Sequence, residues 1–202
     1  MLARTRLLAG AAFALGLVAT SVAAQQQKPV RVVGTIVGVD GPTLVIKPRD
    51  GGEVKVNVTD KLAVYGVVKA TLADVKTGSF IGVGAMPQPD GSQKALQVMI
   101  FAEQQRGLGE GHRPWTRPGS TMTNATVDTT VAGVDGQVVM VKFKDGEKKV
   151  IVPPEAVIRR YVVGEKSELK PGASILITAA TKKPDGTLET SRVNVGRDGI
   201  VP

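Results

Sequence analysis

An all-β fold of two tandem OB-like small barrels, five strands in each, is predicted by three features of the sequence. Valine supplies 31 of the 202 residues and glycine 24, whereas only seven residues are aromatic. β-Branched side chains favour strands, and glycines favour the tight turns between them. Aspartate precedes glycine at positions 40, 50, 90, 135, 145, 185 and 198, a pair that tolerates the positive φ of hairpin turns. The chain also repeats itself at an interval of about 95 residues. Val39-Asp40-Gly41, Lys47 and Asp50-Gly51 answer to Val134-Asp135-Gly136, Lys142 and Asp145-Gly146. Val75-Lys76-Thr77-Gly78 answers to Leu169-Lys170-Pro171-Gly172, Pro89-Asp90-Gly91 to Pro184-Asp185-Gly186, and Val98 and Ile100 to Val193 and Val195. Such blocks in one order and at one spacing indicate a duplication.

The segments follow in order. Residues 1–24 read as a secretory signal peptide: Arg4 and Arg6 lead an apolar run over 7–18, and Ala23-Ala24 precede Gln25. The run is shorter than the ~20 residues that cross a bilayer, so cleavage after Ala24 is expected. No later segment is apolar enough to span, so the mature chain is expected to be periplasmic or secreted and not membrane-spanning. The first repeat, residues 29–102, offers strands at 31–39, 43–47, 53–58, 80–86 and 95–101. Its Glu53-Val54-Lys55-Val56-Asn57-Val58 stretch alternates strictly, as a strand with one face on a core must. A short helix is expected between its third and fourth strands, over 70–76, ended by Gly78. Residues 103–124 lack hydrophobic periodicity and read as a linker loop. The second repeat, 125–199, offers strands at 127–134, 138–144, 148–152, 174–180 and 187–195, again with a short helix expected after the third.

Composition narrows the chemistry. The chain has no cysteine and one histidine, which removes disulfides and thiolate metal sites. Seven of the 18 carboxylates are aspartates that precede glycine, where turn formation explains them. No serine stands in a nucleophile-elbow context, so the chain is read as a non-enzyme. Losing residues 1–24 removes two of 26 basic groups and no acid, leaving 24 against 18. A basic exported protein meets anions; an anionic envelope polymer or another envelope protein is the expected partner, and export argues against nucleic acid.

Any ligand site is expected in the linker, which holds the only His and Trp. Arg106, Arg113 and Arg117 beside Trp115 form a candidate anion patch, because guanidinium forks grip carboxylate or phosphate and an indole stacks on a flat ligand. Glu110 and His112 belong to the same candidate binding set. An alternative is a copper-type site centred on His112, with Met122 and Glu110 as further ligands and Met86 or Met99 on a neighbouring strand. A third reading makes Trp115 a structural pin across the two repeats. Gly107, Gly109 and Gly111 fit neither dinucleotide nor Walker spacing.

The blocks Val33-Gly34-Thr35 with Val39-Asp40-Gly41, Leu72 with Asp74-Val75-Lys76 and Gly78, and Pro89-Asp90-Gly91 with Ala95 and Ile100 resemble a bacterial secreted domain family of unknown function, number 5666. The resemblance covers both repeats, and the second departs from it at Asp128-Thr129-Thr130. The linker, from Arg106 to Asn124, is similar to that of a proteobacterial subgroup labelled as a metal transporter permease. The resemblance implies small exported β-barrels, often in tandem, and supplies no activity. The expectation is therefore a non-enzymatic exported binding or envelope-support protein, with no cofactor on the main reading.

Overall fold

The computed structural model describes residues 28–133 and 136–202; the expected signal peptide and Val134-Asp135 of an expected turn lie outside them. The described chain is all-β. Its strands are β1 (Val30–Asp40), β2 (Thr43–Pro48), β3 (Val54–Lys69), β4 (Phe80–Pro87), β5 (Gln93–Ile100) and β6 (Gly111–Pro114). They continue with β7 (Thr121–Gly133), β8 (Gly136–Phe143), β9 (Gly146–Val152), β10 (Val157–Val163), β11 (Ser174–Lys182) and β12 (Leu188–Gly196). Among the described residues no helix is long and apolar enough to cross a membrane.

One continuous sheet runs β12-β11-β1-β2-β3-β10-β5-β4-β7-β8-β9, with β6 added on β7. It curls at both ends. A parallel ladder from Leu188↔Val56 to Gly196↔Val67 joins β12 to β3 and closes a five-stranded barrel with β11, β1 and β2. At the other end β5 pairs in parallel with β9 through Gln93↔Val150 and Lys94↔Ile151, linking β5, β4, β7, β8 and β9 in a second ring. β10 stands between the rings, antiparallel to β3 and parallel to β5.

The rings do not follow the expected boundaries at 102 and 125. β1, β2 and β3 close with β11 and β12, whereas β4 and β5 join β7, β8 and β9. Each ring therefore takes three strands from one half of the sequence and two from the other. The cores record the same exchange. The first ring buries Val32, Ile36 and Ile46 beside Ile175, Ile177 and Val193. The second buries Ile81, Val83 and Val98 beside Val127, Val139 and Val150.

The cause lies in the third strand of each half. β3 runs for 16 residues, about 50 Å at some 3.3 Å per residue, which outruns one small barrel. It continues through the polar Thr59-Asp60-Lys61 where a strand end was expected, and its last residues, Tyr65 to Lys69, pair with β10. The corresponding stretch of the second half is cut by Pro153-Pro154 into β9 and β10, since proline cannot donate to a ladder. In both halves the chain thus leaves one ring along a strand and delivers its last two strands to the other.

Two further expectations change. Each expected helix is a single 3-10 turn, Leu72–Asp74 and Lys166–Glu168. Both are capped by a carboxylate three residues on: Asp74 accepts from the Thr71 N–H at 2.8 Å and Glu168 from the Glu165 N–H at 2.9 Å. The expected linker loop is partly a hairpin, with β6 pairing the start of β7 from Gly111↔Asn124 to Pro114↔Thr121. Its glycines and prolines hid a strand whose partner begins before residue 125.

Candidate anion-binding pocket

A pocket of about 280 Å³ opens where the outer faces of the two rings meet. On β1, Val32, Gly34 and Ile36 turn inward, leaving Arg31 on the outer face. On β11, Ile175 and Ile177 turn inward, leaving Leu176 and Thr178 outside. The opposite wall comes from the second ring, where Ile81, Val83 and Ala85 of β4 face the core and Gly82 and Gly84 face out. β10 contributes Val157, Arg159 and Tyr161 from alternate positions, one face of the strand.

The β6–β7 hairpin completes the wall, and its register sorts the linker residues. Residues opposite one another in an antiparallel pair project to the same side. Arg113 lies opposite Met122, and both line the pocket, as does Trp115 two residues on. His112 lies opposite Thr123 on the other face, with Nδ1 2.8 Å from the Thr123 hydroxyl. The expected set of His112, Met122 and Glu110 is therefore divided across the hairpin. Glu110 accepts the backbone N–H of Lys144 at 3.0 Å. Burial, then the cations Lys148 and Arg113, push the His112 imidazole below its usual range, and the same charges oppose a metal ion. Met99 does share the pocket with Met122 and Trp115, but three guanidinium groups share it too.

Of the expected anion patch, Arg113 and Trp115 reach the pocket. Arg106 does not: it forks onto Glu103 and donates to the Gly78 carbonyl at 2.9 Å. The Arg117 carbonyl accepts the Ser120 hydroxyl, and its side chain is not in the pocket wall. Arg31 and Arg159 were not singled out by sequence, standing far from the linker along the chain.

The charged side chains that line the pocket are all cationic. Arg31, Arg113 and Arg159 line it together, and among the described residues no carboxylate pairs with any of them. Arg113 gives one N–H to the Gly109 carbonyl at 2.7 Å. Burial pushes the Tyr161 hydroxyl up from its ordinary range, while Arg31, Arg192 and Arg159 pull it the other way. The walls are aromatic: the Phe101 ring lies 5.5 Å from that of Tyr161 and 5.2 Å from that of Phe80.

Two glycines set the shape. A Cβ on Gly84 would fall 2.5 Å from Trp115 Cζ3, so the indole lies flat on bare backbone. A Cβ on Gly82 would fall 2.9 Å from both Phe101 Cε2 and Asn124 Oδ1. Asn124 is 6% exposed. Its Nδ2 donates to the Leu108 carbonyl at 2.9 Å, and its Oδ1 has no partner among the described residues.

No family model matches the chain, and neither the curated proteins nor the solved structures provide a match.

Proposed function

We propose that the chain is an exported, non-enzymatic binding protein, built by duplication of an OB-like five-stranded unit, that holds an anionic ligand in the junction pocket. The observation that carries this reading is the convergence of Arg31, Arg113 and Arg159, without carboxylate partners, on an aromatic-walled cavity. Clustered like charges repel one another, and a bound anion relieves that repulsion while accepting charge-assisted hydrogen bonds. The one histidine–hydroxyl contact, His112 Nδ1 with the Thr123 hydroxyl, lies away from the pocket with Thr123 buried, which supports the non-enzymatic part. The signal-like residues 1–24 and the blocks that resemble the secreted family 5666 support export.

The duplication gains support from paired details about 94 residues apart, including the two 3-10 turns. Ala70 N–H donates to the Ile158 carbonyl at 3.1 Å, and Gly164 N–H donates to the Val64 carbonyl at 2.9 Å. By the same spacing Gly82 corresponds to Leu176 and Gly84 to Thr178.

The test is a titration of Trp115 fluorescence with benzoate at low salt. A saturable change is expected. It should weaken about tenfold or more in Arg113→Gln and in Arg159→Gln, since hydrogen bonds to charged groups contribute about 1.5–3 kcal/mol. Binding that is absent, or indifferent to both substitutions, would overturn the proposal.

A further inference from the structure

Resting on that reading of the pocket, we infer that its ligand is an amphiphilic anion, a compact acidic head on an apolar body such as an acyl chain, and that the Tyr161 hydroxyl donates a hydrogen bond to the head. Two features of the wall carry this inference.

The first is Tyr161. Its side chain lines the pocket and is only 8% exposed. The ring is fixed against that of Phe101 at 5.5 Å and that of Tyr65 at 6.3 Å. Among the described residues no hydrogen bond reaches its hydroxyl. Arg31 and Arg159, which line the same pocket, act on the phenol by their charge, so the hydroxyl lies on their side of the ring. Burial outweighs those charges and keeps the phenol protonated at neutral pH, which makes it a donor. A guanidinium offers no acceptor, so the cationic neighbours cannot satisfy that donor. A largely buried donor without an acceptor is costly. The anion that meets the guanidiniums supplies the missing acceptor at the same place.

The second is what stands beside the cations. β10 and β5 run parallel with Arg159 next to Met99, and Met99 stands opposite Gly82 on β4. Two residues along β4, Gly84 stands opposite Met122, and the Trp115 indole lies on Gly84. Leu176 and Val157 add to this apolar surface. An inorganic anion engages the donors and leaves the thioethers, the indole and the aliphatic groups in water. An apolar body attached to the head covers them, and each methylene buried there raises affinity about fourfold. Cationic and apolar groups side by side in one cavity thus match a molecule that carries both characters.

Calorimetric titration of the whole chain with acetate, hexanoate, octanoate, octanol and inorganic phosphate tests the inference. Affinity should rise along the carboxylate series, with octanoate at least tenfold tighter than acetate, phosphate or octanol. Tyr161→Phe keeps the ring and its aromatic contacts, and should weaken octanoate about tenfold while circular dichroism and melting verify the fold. On the unaltered chain, saturating octanoate should move tyrosine ionisation, followed by ultraviolet absorbance, to higher pH, because an anion accepting from the phenol stabilises its protonated form. Unchanged octanoate affinity in a folded Tyr161→Phe would overturn the assignment of Tyr161; should that variant fail to fold, an unmoved ionisation in the unaltered chain would do so. Acetate or phosphate binding as tightly as octanoate would overturn the amphiphile while leaving an anion site in place. Octanol binding as tightly as octanoate, or no binding by any of the five, would overturn both.

Discussion

Val32 on β1 and Ile177 on β11 are direct partners in an antiparallel ladder, and both are buried in the core of the first ring. They come from opposite halves of the sequence. Were each half to fold as its own barrel, Val32 would instead face the 80–86 strand, where Val83 is the residue corresponding to Ile177. The structure places Val83 in the second ring's core. Truncating Ile177 to alanine should cost about 2–5 kcal/mol, and Val32→Ala about 2 kcal/mol. Because each truncation removes the contact with the other, the double variant should lose less than the sum, by about 0.5–3 kcal/mol. The pair Val32→Ala with Val83→Ala should add within about 0.5 kcal/mol. Urea unfolding followed by circular dichroism, with all variants at one temperature and salt, reads these differences. Additivity of Val32 with Ile177, together with coupling of Val32 to Val83, would refute the exchanged topology.

Two other perturbations follow from local geometry. Gly84→Ala drives a Cβ to within 2.5 Å of the Trp115 ring; a stability loss of about 1–3 kcal/mol and a red-shifted emission maximum are expected, and an unchanged spectrum would contradict the packing. Protonation of His112 is opposed by burial, Lys148 and Arg113, so its folded pKa lies below the unfolded value. The unfolded chain then binds the extra proton, and stability falls as pH drops below about 6.5. His112→Gln should flatten that part of the profile and leave the carboxylate-driven loss at lower pH, where Glu168, held low by Arg197, also titrates.

Strand positions were legible because alternation and Asp-Gly turns are local signals. The stretch 53–58 and the turn at Gly41 sit where the pattern puts them. Pairing was not legible. Blocks that recur about 95 residues apart offer similar strands in each half, so the pattern does not distinguish closing a ring within a half from closing it across halves. β10 escaped notice because Arg159-Arg160 breaks its alternation: one arginine turns to the pocket and the other approaches Asp74 at 3.5 Å. The same fold-level fact hid two thirds of the cationic site. Arg113 and Trp115 stood out by their rarity in an unusual segment. Arg31 and Arg159 are ordinary strand residues until β1 and β10 are brought beside the hairpin.

The central claim, that the junction pocket is an anion site, is tested most directly at its only indole. The Nε1–H resonance of Trp115 is a single, isolated signal in a proton–nitrogen correlation spectrum of the labelled chain. On titration with benzoate it should shift saturably, and the shift should be lost in the Arg31→Gln, Arg159→Gln double variant and weakened by salt. A resonance that stays in place in the unaltered chain, or moves equally in the double variant, would contradict the account.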